Sequence, residues 1–184
     1  MGTGGKIAIG CAVAVVLAGI VTVVALGGLA FWVKGKAEQV TGKQSRIAEL
    51  QRKANANRFT PPADGTIRED RLQKFLEVRR RVYAVYERHQ TELDEMGKKK
   101  QADFGDVRKG FALINELRLG QAQAQADVGM SEDEYRFVVD QVYKTIWADA
   151  NQSTDVPPAN LALFRKYGAD IKKYAMGGLE WIGL

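Results

Sequence analysis

The chain has one cysteine, Cys11, and one histidine, His89, among 184 residues. A lone cysteine cannot close an intrachain disulfide, so the redox compartment stays open, and the Cys/His spacing of a zinc site is missing. A carboxylate-bridged metal site in a helical bundle wants Glu-x-x-His twice, which one histidine cannot supply. There is no Gly-x-x-x-x-Gly-Lys or Gly-x-Gly-x-x-Gly element, so nothing supports a glycine-rich cradle for phosphates. No stretch sustains the apolar and polar alternation of a half-buried strand. These absences set aside disulfide scaffolds, zinc modules, nucleotide binders and sheet proteins. They leave an all-α chain for which no metal and no cofactor is expected.

What the sequence does contain begins at residues 7–33, a run of 27 residues with no charge, no proline and nothing more polar than Thr22. As a helix it reaches about 40 Å, past the roughly 30 Å of bilayer hydrocarbon, and only a helix satisfies its own backbone in lipid. A transmembrane helix after a short tail, residues 1–6, is the expectation. A cleaved signal peptide could use Gly28-Leu29-Ala30 as its site, but the run is far longer than a signal h-region, and only Lys6 precedes it. Most of the run follows Cys11, the reverse of a lipobox. Gly10, Ala14, Ala18 and Thr22 recur every four residues, a small-residue face suited to close helix approach; an Ala- and Gly-rich composition is the plainer account of it. Phe31 and Trp32, then Lys34 and Lys36, read as an interfacial aromatic and basic anchor.

The net charge of +5 is unevenly placed. Residues 34–58 hold Lys34, Lys36, Lys43, Arg46, Arg52, Lys53 and Arg58 against Glu38 and Glu49, whereas residues 59–184 net −1. The positive charge is juxtamembrane. Trp32, Lys34, Lys36, Lys43 and Arg46 are therefore candidate contacts for anionic lipid headgroups, at about 1 kcal/mol per basic residue near the surface. Nucleic acid would need a basic patch on the folded domain and is not an expected partner. The positive-inside rule places the carboxyl-terminal side in the cytoplasm of a cell (inner) membrane, with a periplasmic domain as the alternative.

Downstream, residues 34–58 read as a basic stalk with a weak helical pattern broken by Gly42, and residues 59–65, with Pro61, Pro62 and Asp64-Gly65, as a turn-forming linker. Residues 66–184 should form an antiparallel bundle of about four helices. Thr66 and Glu69 have capping-box spacing at the head of a helix running to Gly97, with Leu72, Phe75, Leu76, Val82, Tyr83, Tyr86, Leu93 and Met96 on its stripe. A helix near 102–125 carries Phe104, Val107, Phe111, Ile114 and Leu117, and its Gln-Ala repeat is helix-friendly low complexity. Ser131 and Glu134 form the clearest capping box, and Asn160 is placed to cap a last helix. After Gly177-Gly178 the chain ends on Leu179, Trp181, Ile182 and Leu184, an apolar tail that packs back on its own bundle or contacts a partner.

The Gly- and Ala-rich span, with Phe59-Thr60-Pro61-Pro62-Ala63-Asp64-Gly65, Arg71-Leu72-Gln73-Lys74-Phe75-Leu76 and Ser131-Glu132-Asp133-Glu134-Tyr135, resembles uncharacterised bacterial single-span membrane proteins. The resemblance implies a bacterial origin and no activity.

Chemistry-bearing residues are few. His89 lies near an apolar stripe and reads as a packing residue. Asp64, Gly65, Glu69 and Asp70 lack the alternating oxygens of a calcium loop. Arg79, Arg80 and Arg81 point three ways around a helix and read as a solvated face. Asn151-Gln152-Ser153 is a glycosylation sequon only in a eukaryotic secretory setting. The expected function is that of a membrane-tethered helical interaction or scaffold protein with protein partners, potentially an accessory subunit of a larger membrane complex. The alternative is an enzyme whose carboxylates, such as Glu87, Glu116 and Asp140, meet in three dimensions.

Overall fold

The computed structural model of the chain describes residues 37–98, 103–153 and 155–175. Those residues form six helices and no strand: α1 (Ala37–Asn55), α2 (Glu69–Arg88), α3 (Gln90–Lys98), α4 (Phe104–Val128), α5 (Glu132–Asn151) and α6 (Pro158–Lys173). The protein is all-helical over this range. The expected transmembrane helix at 7–33 lies outside the described residues, and among those described no helix is long and apolar enough to cross a membrane. The described residues divide into two compact units, one of residues 37–48, 84–98 and 103–120, the other of 49–83, 121–153 and 155–175.

The second unit is organised around α2 and the α5–α6 hairpin. Leu72 and Val82 of α2 and Tyr135 and Val138 of α5 are at most 2% exposed, on the helical stripes expected from the sequence, and Val78 of α2, outside the expected stripe, is fully buried as well. Ser131 caps α5 by accepting from the Glu134 N–H at 3.2 Å, as its spacing predicts. The helix stops where Gln152 takes a left-handed conformation, φ 54°, and Pro158 then occupies the first turn of α6, where a missing N–H costs nothing.

Three local expectations give way to the structure. Thr66 and Glu69 do not form a capping box: α2 begins only at Glu69, the Thr66 N–H is taken by Asp64 Oδ1 at 3.0 Å, and the Glu69 carboxylate accepts from Lys166 and Tyr167 instead. The long helix expected to reach Gly97 is interrupted at His89, whose N–H bonds Tyr86 O at 3.0 Å in a tightened turn. The stalk is partly core, because α1 runs unbroken through Gly42 and buries Ile47, Leu50 and Ala54. The Gln-Ala repeat is helical as expected, and it is also interior, with Gln121, Ala122, Ala124, Gln125 and Ala126 all buried. Small side chains there let neighbours come close, as Gly120 does in the first unit, where an added Cβ would stand 3.3 Å from Val85.

Candidate functional site

The most elaborate polar arrangement in the second unit joins residues distant in sequence. Glu134, 1% exposed, receives both arms of the Arg71 guanidinium, and this hydrogen bonding holds Arg71 above its usual titration range. Two turns along α2, the buried Arg79 donates to the Tyr135 hydroxyl at 3.0 Å and to the Tyr174 carbonyl at 2.8 Å, closing the end of α6. Phe75 stacks at a tilt on Tyr135, ring centroids 5.3 Å apart, and Phe59 meets Phe137 at 5.4 Å. Asn160 does not cap α6. Its side chain accepts from the Ile67 N–H at 2.8 Å and donates to the Gly65 carbonyl at 3.0 Å, pinning the 59–65 linker. Residues of 59–65, 71–76 and 131–135 thus take part in one packing and hydrogen-bond network. Both buried charges in it, Glu134 and Arg79, are answered by hydrogen bonds.

The first unit holds the other cluster. His89 sits at the break between α2 and α3, with Nδ1 3.3 Å from Glu92 and Nε2 3.2 Å from Glu116, and Arg88 approaches Glu116 at 3.3 Å. The imidazole is more than a packing residue, since it ties the break to α4 across 27 positions. The two carboxylates sit against opposite ring nitrogens and do not converge on one point. No group of three or more potential metal ligands exists among the described residues.

The remaining candidates fall as follows. Gly10, Ala14, Ala18, Thr22, Trp32, Lys34, Lys36, Leu179, Trp181, Ile182 and Leu184 lie outside the described residues. Lys43 and Arg46 are exposed on α1. Of the carboxylates of the enzymatic alternative, Glu116 is engaged by Arg88 and His89, Asp140 by Lys144 at 2.7 Å, and Glu87 is exposed. Asp64 is held below the usual carboxylate range by the Thr66 hydrogen bond, and Asp70 pairs with Arg68, so turn and surface contacts absorb the acidic group around Gly65. Arg80 and Arg81 do form a solvated face, both paired to Glu77, but Arg79 is core. A cavity of about 10 Å³ between Ile67, Leu72, Thr145, Asn160 and Phe164 has room for a single water. Trp147, which shares the helical spacing of Tyr135, Val138, Val139, Val142, Tyr143 and Ile146 and so reads as part of the apolar stripe of α5, is instead 61% exposed.

No family model, no curated protein and no solved structure matches this chain.

Proposed function

We propose that the protein is a membrane-tethered helical interaction protein, anchored by residues 7–33, that presents its helical domain to protein partners on the cytoplasmic side of a cell membrane. The observation that carries this reading is the 27-residue uncharged run, followed at once by the seven basic residues between 34 and 58. The disposition of polar groups in the folded part supports it: the buried charges serve helix ends and loops, and the exposed Trp147 offers an aromatic of the kind that anchors contacts. The small-residue face of the span and the apolar tail are the further contacts this reading uses, with anionic lipid headgroups around Lys34, Lys36, Lys43 and Arg46.

The test takes the full chain expressed in a bacterial membrane. It should stay in the pellet through alkaline carbonate extraction, and chemical cross-linking in native membranes should retain defined protein partners that a chain shortened after Ala175 loses. Release by carbonate would sink the tether. Cross-linked species that contain only this chain would sink the interaction role.

A further inference from the structure

His89 is the one histidine of the chain, so any event that follows the titration of an imidazole belongs to a single side chain. It stands where α2 gives way to α3, and its partners all lie in the first unit. Nδ1 is 3.3 Å from Oε2 of Glu92 on α3, and Nε2 is 3.2 Å from Oε2 of Glu116 on α4. An ionised carboxylate only accepts, so each contact needs an N–H on the ring side. A neutral imidazole has one N–H and one bare nitrogen. It can bond one of the two carboxylates, and it then turns a lone pair toward the other. The imidazolium carries an N–H at both positions and answers both. Two acceptors on opposite ring nitrogens are therefore the surroundings of a doubly protonated ring.

The charged groups around the ring agree with that geometry. From α2, Arg88 reaches Oε1 of Glu116 at 3.3 Å, the oxygen the ring does not use. α3 contributes Glu92 and α4 Glu116. Lys43 and Arg46 of α1, Glu87 of α2, Glu95 of α3 and Arg118 of α4 are exposed and make no hydrogen bond or ion pair with the ring. Two carboxylates against one guanidinium leave one negative charge, which the imidazolium neutralises. The ring is 26% exposed, so water screens the cluster without replacing its contacts.

We propose that His89 is a proton-operated clasp: doubly protonated, it ties the α2–α3 break to α4 by holding Glu92 and Glu116 together, and on losing its second proton it releases one of them and loosens the break. The contribution is present while the ring holds both protons and is lost as pH rises through its titration, within the range of roughly pH 5 to 8 where histidine ordinarily changes charge. Two backbone hydrogen bonds report the state of the break, His89 N–H to the Tyr86 carbonyl and Leu93 N–H to the His89 carbonyl, both at 3.0 Å. The clasp acts within the folded part and does not depend on the tether proposed above.

The experiment is amide hydrogen exchange on the full chain in nonionic detergent at about pH 5.5 and about pH 8, with each rate divided into that of the unfolded chain so that the pH dependence of the exchange chemistry cancels. Protection at Leu93 should fall about threefold between the two, the size of one partly exposed ion pair, with a midpoint that follows the ring nitrogens in nitrogen NMR. Glu116→Gln should keep protection equal at both pH values, because the glutamine amide can donate to the bare nitrogen of the neutral ring while Glu92 accepts from the other. His89→Gln should likewise remove the pH dependence. Equal protection of the unaltered chain at the two pH values would overturn the proposal. So would a fall that persists in either variant, since it would then belong to another group.

Discussion

Glu134, only 1% exposed, is met by the Arg71 fork through two charge-assisted hydrogen bonds. Removing one partner leaves the other as an uncompensated buried charge, and that asymmetry sets the size of the effect. Arg71→Leu should cost about 3 kcal/mol of stability in urea denaturation, whereas Arg71→Leu combined with Glu134→Leu should recover most of it; equal losses in the single and double variants would deny the pair its role. Glu69 is a gentler case. The Lys166 and Tyr167 hydrogen bonds hold its carboxyl below the ordinary glutamate range, and the group is fully exposed. A carboxyl whose folded-state value is depressed stabilises above its unfolded value, and loses that contribution as pH falls through the folded one. Lys166→Met should therefore move the Glu69 carboxyl titration, followed by carbon NMR, back upward toward an unpaired glutamate. An unmoved titration would mean the contact is not kept in solution.

Among the elements, α1 separates what the sequence reveals from what it hides. Its apolar residues, Ile47, Leu50 and Ala54, are spaced one turn apart but few, and the surrounding lysines and arginines make the segment look like a solvated stalk. Only the partner surface tells that the narrow stripe is covered. Asn55 then accepts from the Glu132 N–H at 2.9 Å, serving the start of α5 from 77 positions away, which local pattern cannot foresee. A fragment of residues 59–184 should accordingly be less stable than one of residues 37–184, by about 3–5 kcal/mol for the lost Ile and Leu burial and about 1 kcal/mol for the cap. Equal melting temperatures would return α1 to the status of a stalk. The same contrast runs through the other elements. The Ser131 cap and the stripes of α2 and α5 were legible because capping and 3.6-residue periodicity are local signals. The break at His89, the burial of Arg79 and the linker clamp by Asn160 were not. Each depends on a partner 27 to 95 positions distant, Glu116 for the first, Tyr135 and Tyr174 for the second, Gly65 and Ile67 for the third.

For the whole molecule, the decisive quantity is where its charge lies. Seven basic residues against two acidic follow the apolar run within residues 34–58, only Lys6 precedes it, and the rest of the chain nets −1. A span with that asymmetry is oriented by the lysines and arginines nearest its ends, because carrying them across the bilayer opposes both the potential and the anionic surface they leave. The helical domain should therefore resist protease added to spheroplasts and be digested only once the membrane is opened. Replacing Lys34, Lys36, Lys43 and Arg46 with glutamine while adding three lysines before Ile7 should raise the fraction of chains digested from outside, because the balance at the two ends of the span is then reversed. Digestion of the unaltered protein in intact spheroplasts would place the domain on the far side and leave its basic residues facing the outer leaflet.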